Sequence, residues 1–292
     1  MIGNASHTPI NLRPGLPTDV EACARIFFEA FGAIAAQHNF PSDVPSMEVG
    51  IDLITMLLTH PHFFSVVAEL DGKIVGSNFL DERSRIAGLG PITVDPDIQN
   101  RGLGRQLMEA ALDRAREKAH SGVRLLQTAY HGRSLALYAS LGFQVREGLA
   151  CMQGPPIGAS VTGYHVRPAR EEDLAGCDRI CRLVHGHDRH GEIVDAIKFG
   201  TAKLVEHDGR ITGYATDLGF FAHAVAETSR DLIALIGSAS AFNGPGILVP
   251  LRNAPLFQWC LNNRLKVVQL MNLMTRGLYN EPAGAYLPSV LY

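Results

Sequence analysis

From Leu103 to Lys118 the apolar residues Leu103, Leu107, Ala110, Ala111 and Ala115 recur at helical spacing, with Arg114 and Lys118 interleaved, which predicts an amphipathic helix. Just before it, Ile92-Thr93-Val94 predicts a strand, so the chain here passes from strand through turn into helix. The segments Val67–Gly76 and Val205–Gly213 each place apolar residues on both sides of an Asp-Gly pair, which predicts two hairpins. Around Gly32 to Phe64 apolar residues are dense (Ile34, Phe40, Met47, Ile51, Ile54, Leu57) and read mostly as core. Further on, Gly246–Pro250 predicts an apolar strand, Leu256–Leu261 a helix and Val267–Met274 a last strand, all assigned to the back half of a second domain. The apolar, aromatic stretch Tyr286–Tyr292 is expected to be docked.

The chain repeats itself. Leu12-Arg13-Pro14, Asp19-Val20, Cys23, Arg25 and Ile26 reappear at a constant offset as Val166-Arg167-Pro168, Asp173-Leu174, Cys177, Arg179 and Ile180. Each copy reads as a short strand, a turn and a helix capped near its start by Asp or a neighbour. The two Asp-Gly hairpins follow in the same order. Duplicated elements imply two domains of one architecture, 1–154 and 162–292, joined by a linker over 155–161 in the Pro- and Gly-rich stretch that begins at Gly154.

The segment Val94–Arg105 carries the most chemistry. The first N–H groups of a helix lack intrahelical partners and the peptide dipoles concentrate positive charge there, so a turn opened by Gly102 and Gly104 and flanked by Arg101 and Arg105 is a cradle for phosphate. A Walker loop would need Lys-Ser or Lys-Thr after its glycines, and a dinucleotide fingerprint would need a small residue where Leu107 stands. In the second copy the corresponding stretch, Ala226–Leu232, has no glycine pair and carries two acids that oppose an anion, so it reads as an ordinary helix cap.

The loop fits Gln/Arg-x-x-Gly-x-Gly/Ala, and here the chain resembles the GNAT family, the GCN5-related N-acetyltransferases. A second stretch, His131-Gly132-Arg133-Ser134-Leu135-Ala136-Leu137-Tyr138-Ala139-Ser140-Leu141-Gly142-Phe143, is similar to the family's Asn-x-x-Ala-x-x-Leu-Tyr-x-x-x-Gly-Phe, with His131 and Ser134 replacing the usual Asn and Ala. The resemblance implies an α/β (α+β) fold of two tandem GNAT-type domains, each a mixed, mostly antiparallel twisted sheet with helices on both faces, the second degenerate. It implies acetyl-CoA as co-substrate, contacted by Ile92, Thr93, Val94, Gln99, Asn100, Arg101, Gly102, Leu103, Gly104, Arg105, His131 and Ser134. It also implies direct attack of an amine on the thioester, with the Val94 N–H polarising the carbonyl and Tyr138 protonating the leaving thiolate. Freeing the lone pair of a lysine-like amine at neutral pH costs about 4 to 5 kcal/mol. The base is left open between Asp81, Glu82, His131 and water. The acceptor implied is a primary amine, expected on a small molecule; the reading from another class is a coenzyme A-binding sensor or structural module without turnover.

Composition narrows the partners. With 26 Lys and Arg against 29 Asp and Glu, interspersed, the chain offers no basic face to nucleic acid or anionic membrane. No apolar run is long enough to span a bilayer and the first residues lack a signal pattern, so the chain reads as cytoplasmic. Five scattered cysteines argue against a disulfide framework or a zinc site, and Cys177 and Cys181, one helical turn apart, read as small buried apolar residues. The loop His185-Gly186-His187-Asp188-Arg189-His190 has ligand-type side chains but reads as a solvated loop or lid rather than a metal site. No metal is therefore expected, and a homodimer is left open.

Overall fold

The computed structural model of the chain describes residues 10–99 and 101–292. Asn100, named above as a coenzyme A contact, lies outside the described residues. Two compact units form, one running up to Glu82 and including Leu89–Ala119, the other made of Arg83–Gly88 and His120–Tyr292.

In the first unit β1 (Asn11–Pro14) leads into α1 (Val20–Gln37) and α2 (Met47–Thr59), followed by β2 (Phe63–Leu70) and β3 (Lys73–Asp81). After β4 (Ile86–Leu89) come β5 (Thr93–Val94) and α3 (Leu103–Glu117). The strands β1, β2, β3 and β5 pair antiparallel. Leu103 and Leu107 of α3 pack with Val66, Ala68 and Val75 on one face of the sheet. The approach is close at Gly76, where a Cβ would stand 2.8 Å from the Thr93 carbonyl oxygen and 3.0 Å from Leu107.

The second unit contains β6 (Gly122–Thr128), α4 (Gly132–Ser140), β7 (Gln144–Gln153), β8 (Tyr164–Pro168), α5 (Leu174–His185), α6 (His190–Lys198), β9 (Lys203–His207) and β10 (Arg210–Ala215). It continues with β11 (Ala224–Ala226), α7 (Ser229–Gly237), β12 (Ile247–Pro250), α8 (Ala254–Asn262), β13 (Lys266–Gly277) and β14 (Ala285–Leu287). One sheet, in the order β14-β11-β10-β9-β8, is antiparallel throughout. Its strands alternate between two cores: Leu204, Tyr214 and Val225 face α5 and α6, while Val205, Ala215, Ala224 and Ala226 face α7 and α8. Helices therefore cover both faces. The other strands run β4-β6-β13-β7-β12, with β4 and β6 parallel and the rest antiparallel.

The compact units thus do not divide at 155–161. That stretch is irregular, as its prolines and glycines predict, but β12 and β13, which the sequence assigned to the second repeat's own sheet, pair instead with strands of the first. The cause is burial. Leu149, Ala150, Cys151 and Met152 of β7 are buried, and their backbone groups find partners on both sides only because β13 slots between β6 and β7 while β12 takes the far edge.

Both predicted hairpins form. Asp71 and Gly72, and likewise Asp208 and Gly209, all have positive φ, the type I′ geometry that Asp-Gly favours. The opening repeat is matched by a repeated ion-pair cluster. The Arg13 guanidinium grips Asp19 at 2.7 and 3.0 Å and Glu69 at 2.9 Å; Arg167 grips Asp173 at 2.7 and 2.8 Å and Glu206 at 2.7 Å. Each aspartate also accepts the N–H three residues before it, from Leu16 and Arg170 respectively.

The histidine loop departs from expectation. His185 and His187 are only 4% and 7% exposed. Residues distant in sequence cover them: the His185 ring stands edge-on to Tyr286 at 5.1 Å, and His187 Nε2 is 3.1 Å from the Tyr292 hydroxyl. The aromatic stretch 286–292 is docked accordingly. The five cysteines are free and buried, and burial pushes the Cys177 and Cys181 thiols up to about 12 and about 11.

Arg167→Met should destabilise the protein by about 2 kcal/mol in urea unfolding, the scale of lost charged hydrogen bonds. The guanidinium fork holds the Asp173 carboxyl below its usual range, so the stability it adds is present above about pH 4 and is lost as pH falls through the folded value. The variant should accordingly show a flatter acid limb than the parent when stability is measured against pH.

Candidate functional site

In the first unit the site is built where a short strand meets α3. Thr93 opposes Ser77 and Val94 opposes Gly76, but further back Gly90 N–H bonds the Phe79 carbonyl at 2.9 Å. Between those points β3 advances two residues and the facing chain three, which is a bulge over 91–92. Ile92, expected on the strand, sits in that bulge, and β5 is only two residues long. Asp95 N–H donates to the Val75 carbonyl at 2.9 Å. By the alternation of an antiparallel ladder, the N–H and C=O of Val94 then point to the edge away from β3. The Gln99 side chain donates to that Val94 carbonyl at 3.3 Å, so this residue braces the strand end.

The turn that follows is pre-shaped. The Asp95 carboxylate accepts the Asp97 N–H at 3.1 Å and opens a short 3₁₀ turn over Pro96–Ile98. Gly102 is the N-cap of α3 with φ of +79°, a left-handed conformation that side chains resist, and no side chain caps the helix. The Arg105 N–H already reaches back to the Gly102 carbonyl at 3.1 Å, whereas those of Leu103 and Gly104 precede the first intrahelical acceptor. The first turn of α3 holds no acid. The Leu103 side chain is buried in the core, so what it presents outward is its main chain, while Arg101 and Arg105 are exposed and add positive charge, Arg105 standing 3.5 Å from Glu109.

The corresponding end of α7 is closed. Thr228 and Asp231 form a reciprocal cap, with the Asp231 carboxylate accepting the Thr228 N–H at 3.0 Å and bonded by the Thr212 hydroxyl. A carboxylate occupies the place where an anion would have to sit.

In the second unit α4 carries the other motif. His131 is its N-cap, and the Ser134 hydroxyl donates to the His131 carbonyl at 2.9 Å instead of facing outward. Gln127, which the sequence reading did not single out, is the organiser here. Its amide donates to the His131 carbonyl at 2.9 Å and the Ser134 hydroxyl at 3.1 Å, while Asn272 of β13 donates to its carbonyl oxygen at 2.9 Å. The available signal was an amide directly after the apolar pair Leu125-Leu126. Tyr138 is buried, its ring 6.4 Å from that of Phe143, and burial holds its phenol well above the usual value, hence protonated. Of the base candidates, Glu82 is gripped by Arg114 at 2.6 and 3.0 Å, and Asp81 is buried at the end of β3. Among the described residues no group of three or more His, Cys, Asp or Glu is placed to hold a metal ion, and no helix is long and apolar enough to cross a membrane.

Residues 24–143 match the family model described as acetyltransferase (GNAT) family. The chain is 33% identical over 84 residues to the mycothiol acetyltransferase of Clavibacter sepedonicus, a match covering 29% of this chain and 28% of that protein. Among solved structures, a Pyrococcus horikoshii protein assigned to the acetyltransferases superposes with a TM-score of 0.73 at 18% identity, covering 98% of this chain and 97% of that one. A tandem GNAT protein from the clavulanic acid biosynthesis pathway superposes with a TM-score of 0.57 at 14% identity, covering 92% and 98%. At these identities the likeness is one of fold, and it extends over both repeats.

Gly102→Ala should cost about 1 to 2 kcal/mol, because a Cβ is strained in the left-handed region although open space surrounds it. Urea unfolding of the pair checks this; equal stabilities would mean that the turn relaxes.

Proposed function

We propose, since residues 24–143 match the GNAT acetyltransferase family model, that the chain transfers the acetyl group of acetyl-CoA to a primary amine of a small molecule. The observation that carries the reading is the open amino end of α3: a left-handed glycine cap, no acid in the first turn and two arginines beside it. Such an end suits a diphosphate, and the matching end of α7 does not. The residues present therefore fit coenzyme A in the first repeat.

The chemistry follows from what the side chains and main chain can do. The N–H of Val94 donates to the thioester oxygen as negative charge grows there, and its orientation away from β3 supports that role. Tyr138, kept protonated by burial, gives its proton to the departing thiolate. Contacts from Ile92, Thr93, Gln99, Arg101, Gly102, Leu103, Gly104, Arg105, His131 and Ser134 belong to the same proposal. For Leu103 the contact is through the main chain, and Gln99 and Ser134 act by holding the strand end and the start of α4. The amine's proton leaves to Asp81, His131 or water, since Glu82 is committed to Arg114.

Incubation with acetyl-CoA and a panel of small amines, followed by thiol release, tests the reading. Tyr138→Phe should slow turnover by at least tenfold while leaving the coenzyme A thermal shift intact. Gly104→Glu, which puts a carboxylate in the first turn of α3, should abolish that shift. An unchanged shift in the glutamate variant removes the assigned cradle, and binding without turnover across the panel replaces the enzyme with a sensor.

A further inference from the structure

The second unit buries a guanidinium with no carboxylate beside it. Arg124, on β6, is 2% exposed, and its partners are phenols. Its Nη1 donates to the Tyr292 hydroxyl, and its Cζ lies 4.4 Å from the Tyr292 ring and 5.1 Å from the Tyr279 ring. Beyond those rings stand two more guanidiniums, Arg189 at 4.3 Å from Tyr292 and Arg146 at 5.4 Å from Tyr279. Arg189 has a carboxylate of its own in Glu192, Arg146 is exposed to water, and nearby Arg252 pairs with Glu147 at 2.6 Å. Among the described residues, Arg124 meets no carboxylate. Burying a cation without a counter-ion is costly, and cation–π contacts offset that only in part. Burial and the neighbouring Arg189 accordingly pull the Arg124 guanidinium down to about 10.

Other polar atoms around it are also unsatisfied. Arg124 Nε, His185 Nδ1 and the Tyr279 hydroxyl are buried without a hydrogen-bond partner. They belong to one contiguous cluster, since Tyr292 links Arg124 to His187, whose ring stands 5.9 Å from that of His185. Burial and the surrounding cations hold both histidines below their ordinary value, so each is neutral and can offer one ring N–H. Arg124 is then an unpaired guanidinium whose immediate neighbours, the phenols and the two imidazoles, are neutral donors, while Arg252 further out is held by both Glu147 and Glu281.

We propose that this cluster is a binding site for a small monocarboxylate, its two oxygens received by the Arg124 guanidinium with support from Tyr279 and His185. A planar carboxylate matches the guanidinium fork, and one negative charge balances the one unpaired cation, which a phosphate dianion would exceed. Tyr292 covers Arg124, so entry requires the end of the docked segment to shift. The site stands apart from the acetyl-transfer reading and would hold if no turnover were found.

The test is a thermal melt at fixed ionic strength in which chloride is replaced by acetate, propionate or inorganic phosphate. Acetate and propionate should raise Tm with concentration through Arg124, whereas any shift with phosphate, which the open end of α3 also receives and which stabilises folded proteins in general, should not depend on Arg124. Arg124→Met should lose the response while melting at or above the parent in chloride, because an uncharged side chain of similar length needs no counter-ion. Should that variant not fold, Tyr292→Phe, which frees Nη1 and keeps the ring, should lower the half-saturating acetate concentration at least threefold. The proposal is overturned by no carboxylate shift in the parent, by a phosphate shift that Arg124→Met abolishes, by an undiminished carboxylate shift in Arg124→Met, or by unchanged acetate dependence in Tyr292→Phe.

Discussion

Backbone amides and carbonyls buried away from water must find partners, and in this chain that demand is met across more than a hundred residues of sequence. Strand β13 pairs with β6 along one edge and β7 along the other, from Gly277 opposite Gly122 to Lys266 opposite Gln153. Without it the apolar centre of β7 would face an unpaired gap. The same strand supplies Asn272, whose amide fixes Gln127 and through it the carbonyl at the start of α4. The helix that carries Tyr138 is thus positioned by the second repeat, although its motif lies wholly in the first.

The two repeats solve one architectural problem and diverge in electrostatics. Both open with an arginine clamped between an aspartate and a glutamate, and both turn a hairpin on Asp-Gly with two positive φ angles. They part at the helix that follows. At α3 the orphan amides are left open beside arginines; at α7 a threonine and an aspartate satisfy them from within. A single carboxylate in the first turn is enough to close a helix start that is otherwise left open.

What could be read from the sequence follows the range of the forces involved. The hairpins, α3, its glycine cap and the repeat were legible because each depends on neighbours a few positions away: Asp71-Gly72 dictates its turn whatever surrounds it, and Gly102 needs no side chain anywhere. Strand existence was legible at 247–250 and 267–274, yet partner choice was not, since apolar strands of this kind fit either sheet and only the three-dimensional competition for edges decides. The loop 185–190 looked solvated because the cover over His185 and His187 comes from Tyr286 and Tyr292, a hundred residues further on. Ser134 and Gln99 occupy motif positions, but their side chains turn to the protein's own carbonyls, which spacing alone does not disclose.

The insertion of β13 also bears on how this chain can change over time. A duplicated protein ordinarily keeps the option of shedding one copy, because each copy folds by itself. Here the later copy has lent a strand to the earlier one, and excision would strip the donor's neighbour of its central partner and leave two sticky edges. The loan ties the two copies into one fold: the half whose helix start is closed supplies the strand around which the other half's sheet is completed.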